Sequence, residues 1–234
     1  GRFIWTAGET RHCLSIRERS RVGLTEFYES PVSIQPEDWS AFLQLVTEEL
    51  RPEVRVLTIS GGLPPGAPTD GCAELCALAR SNNTRVLLDT HGEPLGAALA
   101  SKPWLVKVNA EEASEMARTV AKEAVTEAAM AHALIDMGAD NALITLGLDG
   151  ALLVSPEGDW RVGPAPIVGG YPVGSGDAFL AGVAVRLLAG DQLVDATHYG
   201  AAVAAANALR PGAGILEKHD VGSLFPQIQV NRIP

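Results

Sequence analysis

The stretch YPVGSGDAFLAG, residues 171–182, sets Gly174, Ser175 and Gly176 directly before one carboxylate, Asp177, and then runs into apolar residues. Burying an unpaired charge is costly, so Asp177 either caps a helix or does chemistry. The chemistry this turn suits is phosphoryl transfer. A helix start offers unpaired N–H groups and a partial positive charge, and glycines let a phosphoryl group come close to those amides. The amides can take the charge that spreads over the phosphoryl oxygens during transfer. Asp177 would stand beside them as base to an acceptor hydroxyl. The plain alternative is an N-cap aspartate.

A second cluster lies in KVNAEE, where Lys107 and Asn109 end a strand and Glu111 and Glu112 open a helix. Acids in a first helical turn are ordinary. The functional alternative is a magnesium site, because Mg²⁺ keeps most of its waters and needs only one or two oxygen ligands beside nucleotide phosphates. Asn109 and Glu112 could hold those waters, Lys107 could meet phosphate oxygens, and Asp89, ending VLLD, could join the shell. Arg11, in GETRHC, reads either as an edge-strand solubility device or as a bidentate grip on a substrate phosphate. The five histidines form no HxxxH or HxH pair, and His91 reads as a polar surface residue. No GxxxxGK[ST] occurs, and GSGDAF fails the GxGxxG pattern at Phe179, which excludes a P-loop and argues against a dinucleotide fingerprint.

These residues need elements to hold them. Short apolar runs at VRVLTIS, TRVLLDT, WLVKVN and NALITLG alternate with helical patterns from residue 54 to 146. That predicts βαβ units and a mostly parallel sheet with helices on both faces. Ligands in such sheets bind at the carboxyl ends of the strands, where SGGLPPG, DTHGE, KVNAEE, TLGLDG and GSGD all fall. Before that region, FIWT, RHCLSIRE and LTEFYE read as strands, and residues 33–50 as a helix with a proline near its start. Helices are also expected over 70–80, from about Glu93, and over 122–138 with Gly138 as C-cap. GALLVS pairs with NALITLG, DWRVGPAP is extended, and the last third is helical.

The chain has 234 residues, 47% hydrophobic and 20% charged, enough for one large domain with a buried core. Its formal net charge of −10 argues against a nucleic-acid or membrane-surface partner. Cys13, Cys72 and Cys76 lack zinc spacing; Cys72 and Cys76 share a helix face and read as buried apolar residues, which predicts a reduced, cytoplasmic protein. No apolar run is long enough for a membrane helix, no signal peptide opens the chain, and the chain is expected to begin in mid-fold.

PVGSGDAFLAG, ISGGLPPG, VLLDTHGEPL, VKVNAEE, LITLGLDGALL and TRHCL, in their order along the chain, resemble the PfkB (ribokinase-like) carbohydrate kinase family, above all its phosphosugar branch. The resemblance runs from about Gly8 to the C-terminal strand. It implies a ribokinase-like α/β fold over 1–234, with residues 11–29 as part of a small β-lid, and ATP- and Mg²⁺-dependent phosphorylation of a hydroxyl on a ketohexose phosphate. It makes Asp177 the base and the Gly174, Ser175 and Gly176 amides the anion hole. Asn109 and Glu112 match the family's NxxE magnesium motif. Lys107, Thr145 and Gly147 would face the nucleotide phosphates, and Asn207 the adenine. Arg11, Ser60 and Gly61 would face the sugar phosphate. A homodimer through lid strands is also implied. KVN stands for the more usual KPN, and SGG for SGS. The family's opening strand with a sugar-binding aspartate, its Gly-Gly motif and the first half of the lid have no counterpart here, so an N-terminally incomplete domain is expected. Two further readings follow: a catalytically impaired nucleotide-binding relative, and a nucleoside or ribose kinase of the same fold.

Overall fold

The computed structural model describes residues 1–17, 24–120, 126–166 and 170–233. Two short strands come first, β1 (Cys13–Arg17) and β2 (Leu24–Tyr28), followed by α1 (Pro36–Glu49). The βαβ stretch runs β3 (Val56–Ser60), α2 (Gly71–Ser81), β4 (Arg85–Asp89), α3 (Gly92–Leu99), β5 (Leu105–Asn109), α4 (Ala110–Val120), α5 (Glu127–Asp136) and β6 (Ala142–Thr145). Then come β7 (Ala151–Ser155), β8 (Gly158–Val162), α6 (Ser175–Ala189), α7 (Leu193–Asn207), α8 (Lys218–Leu224) and β9 (Val230–Ile233). The start of the helix expected over 122–138 lies outside the described residues. Its visible part opens on Thr126, whose hydroxyl accepts from the Ala129 N–H.

The main sheet has the order β3-β4-β5-β6-β7-β8-β9. It is parallel from β3 to β6, where helices supply the crossovers, and antiparallel from β6 to β9, where the connections are hairpins or the chain returns from α8. Alternate strand residues build two cores. Leu87, Leu105, Leu143 and Leu153 pack with Phe179 and Leu180 of α6 and with Ala202 and Ala206 of α7. Val86, Leu88, Val106, Val108 and Ile144 pack with Cys72, Cys76, Leu95 and Leu134 from α2, α3 and α5. Strands covered on both faces must be apolar at nearly every position, hence the continuous runs in the sequence.

β1 and β2 form a separate antiparallel ribbon with Leu14 opposite Phe27 and Ser15 opposite Glu26. The strand expected at FIWT is not formed: residues 3–6 carry no strand pairing, and Phe3 and Trp5 stay exposed. β-branched and aromatic residues favour a strand only where a partner strand is available. The neighbouring Arg2 instead reaches Glu48 and Glu49 on α1, at 2.8 and 2.9 Å. α8 falls in the last third of the chain, which the sequence predicts to be helical.

Candidate active site

The carboxyl ends of β3, β4, β5 and β6 share one edge of the sheet, and the start of α6 lies across it. Gly61, just past β3, has φ +94° and donates its N–H to the Asp89 carbonyl at 2.8 Å. At the end of β4 the Asp89 carboxylate accepts from Lys107 Nζ at 2.5 Å. Lys107 is buried and Asp89 mostly so. Burial pushes the Asp89 carboxyl up. Lys107 pulls it back only in part, and the charges of Glu112 and Asp177 push it further up. Three carboxylates and one ammonium therefore share one electrostatic site.

At the end of β5, Asn109 and Glu112 form a reciprocal capping box. The Asn109 N–H donates to Glu112 Oε2 at 2.8 Å, and the Glu112 N–H donates to Asn109 Oδ1 at 2.9 Å. This leaves Glu112 Oε1 facing His91, 3.9 Å from Nδ1. The helix-start reading and a role for the motif are thus not exclusive, since the box fixes the carboxylate that faces the site. His91, read from the sequence as a surface residue, is exposed but stands at this rim as the residue preceding α3. Its place two positions after Asp89 was the available signal.

The 174–177 turn completes the edge. Gly174 is the residue before α6 and has φ +76°, a left-handed conformation that disfavours any side chain. Gly176 sits directly over the ion pair: a Cβ there would lie 2.9 Å from Lys107 Nζ. Asp177 is in the first turn of α6 and is exposed. Its carboxylate accepts no cap hydrogen bond among the described residues. The turn is held from behind by Asn207, which is fully buried. Its Nδ2 donates to the Val173 carbonyl (2.9 Å) and to Ser175 Oγ (3.1 Å), and its Oδ1 accepts from the Gly214 N–H (2.8 Å).

Thr145 ends β6, with Oγ1 3.4 Å from the Val108 carbonyl, and Gly147 opens the exposed 3₁₀ turn Gly147–Asp149 with φ +59°. Ser60 and Gly61 are exposed at the end of β3. Arg11 is exposed two residues before β1 and so is not the edge-strand residue expected from the sequence, though its charge is felt by the Tyr28 hydroxyl.

Residues 2–219 match the sequence profile of the pfkB family carbohydrate kinases. The chain belongs to this family. Similar pfkB relatives include the 1-phosphofructokinase of Xanthomonas campestris pv. campestris, 39% identical over 155 residues, 63% of this chain and 49% of the relative. The 1-phosphofructokinase of Escherichia coli K12 is 28% identical over 231 residues, 98% of this chain and 73% of that protein. The chain thus spans about half the length of the first relative and about three quarters of the second. Among solved structures, Escherichia coli phosphofructokinase-2 in complex with potassium superposes with a TM-score of 0.81 at 25% identity, over 93% of this chain and 71% of that one. The ribokinase-like pfkB fold is therefore present, as expected. Among the described residues no helix is long and apolar enough to cross a membrane.

A divalent cation fits the chemistry of this edge. The available donors are carboxylate and amide oxygens, the ligands of a hard ion. Among the described residues no three acids, histidines or cysteines stand close enough to cage a metal.

Proposed function

We propose that this pfkB chain carries an ATP-dependent kinase site for a ketohexose phosphate, of the 1-phosphofructokinase type. The observation that carries the reading is the convergence of Asp177, the 174–176 turn and the Asp89–Lys107 pair at one sheet edge. In this reading the acceptor hydroxyl oxygen bonds to the γ-phosphorus as the bond to the departing ADP oxygen breaks. The hydroxyl proton passes to the Asp177 carboxylate. Of the Gly174, Ser175 and Gly176 amides expected to form the anion hole, the Ser175 N–H is given to the Pro172 carbonyl at 3.0 Å, so Gly174 and Gly176 are the ones to hold the transferring oxygens. Lys107 adds positive charge from beneath Gly176, while Thr145 and Gly147 face the nucleotide phosphates. Asn207 serves the nucleotide side by fixing the 173–175 and 214 backbone. Arg11, Ser60 and Gly61 receive the sugar phosphate. Asn109, Glu112 and Asp89 would hold Mg²⁺ through its waters; when bound, the ion neutralises phosphate charge.

A cytoplasmic setting belongs to this reading, in keeping with three free thiols. So does a homodimer through the β1–β2 ribbon, whose Leu14, Ile16 and Phe27 are about half exposed or more. The test is nucleotide depletion by the purified chain against fructose 1-phosphate, fructose 6-phosphate, tagatose 6-phosphate, ribose and nucleosides. Turnover on a ketohexose phosphate is expected. Turnover on ribose or a nucleoside alone would replace the substrate class. ATP binding without turnover on any acceptor would favour the impaired relative.

A further inference from the structure

The ribbon is tied to the phosphoryl-transfer turn by one side chain. Arg17, the last residue of β1, places its guanidinium 5.0 Å from the centroid of the Tyr171 ring. The same guanidinium lies against Gly170, so closely that a Cβ at that position would overlap it. Tyr171 is itself anchored, its N–H donating to the Ala208 carbonyl at 3.0 Å, next to the Asn207 that holds Val173 and Ser175. A continuous path of contacts thus runs from the ribbon to the turn that bears Asp177. Among the described residues, the aromatic face of Tyr171 and the bare backbone of Gly170 are the contacts of the Arg17 guanidinium.

The contact also fixes which way the ribbon faces. Side chains alternate along a strand, and Arg17 meets the body of the molecule. Cys13, Ser15, Leu24, Glu26 and Tyr28 share its side of the ribbon, and Leu14, Ile16, Thr25 and Phe27 take the other. Ser15 Oγ donates to Glu26 Oε1 at 2.9 Å on that inner face. A two-stranded ribbon is marginal alone, so its placement depends on such a tether.

We infer that Arg17 is a positioning residue: a latch that seats the ribbon on Gly170 and Tyr171, the segment that leads into the Asp177 turn. The inference rests on the kinase reading for its consequence, not for its geometry. The test labels Cys13, the exposed thiol on the inner face, with a fluorophore and reads its anisotropy at one protein concentration, with oligomer size checked by light scattering. Arg17→Ala, Tyr171→Ala and Gly170→Ala are each expected to lower the anisotropy. Tyr171→Phe, which keeps the ring, is expected to retain it. In turnover assays the three releasing variants are expected to raise the KM for the sugar phosphate at least threefold and leave that for ATP unchanged. Unchanged anisotropy in Arg17→Ala, or equal release by Tyr171→Phe and Tyr171→Ala, overturns the latch. Equal effects of Arg17→Ala on both KM values overturn the positioning role. A wild-type chain that shows the anisotropy pattern but phosphorylates no sugar phosphate upholds the latch and overturns the kinase reading instead.

Discussion

Asp177 is the residue on which the proposed chemistry turns. Its carboxylate is exposed at the start of α6 and caps nothing among the described residues. Asp177→Asn keeps the shape and removes the base, so turnover should fall by roughly 10² or more while ATP affinity holds. Steady-state kinetics and nucleotide titration of that variant check both halves. The cysteines give a second residue-scale expectation. Cys72 and Cys76 are buried, and burial pushes the Cys76 thiol up to about 12 and raises Cys72 as well. Only the thiolate reacts with disulfide reagents, and Cys13 is the exposed one. A thiol titration should count one group in the native chain and three in denaturant.

The elements work through backbone that only certain residues allow. The turn into α6 needs Gly174 in the left-handed region, and a Cβ there would lie 2.6 Å from the Ala213 Cβ. Gly174→Ala therefore costs about 1–2 kcal/mol for the conformation alone, with the overlap added. Urea denaturation should read that loss, and phosphoryl transfer should fall with it, because the turn's amides move. In the ribbon the apolar face of Leu14, Ile16 and Phe27 looks away from the body. Such a face invites a second ribbon. Sedimentation should find a dimer for the wild-type chain and a monomer for the Leu14→Lys/Phe27→Glu double variant.

For the whole molecule, the buried Asp89–Lys107 pair ties stability to pH. Burial raises the Asp89 carboxyl above its unfolded range. A carboxyl whose folded value is raised binds its proton more tightly when folded. Its favourable contribution is complete below the unfolded value, about pH 4, and is lost as pH rises through the folded one. Measured against Asp89→Asn, wild-type stability should therefore improve as pH is lowered from neutrality towards 4. Urea midpoints of the two proteins at several pH values measure the trend, and an unchanged difference would remove Asp89 as its source.

The sequence by itself determined the parts whose signals are local. Apolar runs such as VLLD and LVKVN could only be strands covered on both faces, and alternation with helices dictated parallel pairing from β3 to β6. The loops at the strand ends, with Asp89, Asn109, Glu112 and the GSGD turn, were legible because their residue types are specific to turns, caps and anions. What tertiary structure decided was everything that depends on distant partners. FIWT has strand composition but meets no partner strand, and so forms none. Lys107 and Asp89 are 18 positions apart; only neighbouring β4 and β5 make them a pair, and only the approach of α6 sets Gly176 above them. Asn207 meets Val173 across 34 positions, and Arg17 meets Tyr171 only because the ribbon returns onto that loop. Periodicity is written along the chain, whereas contact between segments far apart in it is set by how the layers pack.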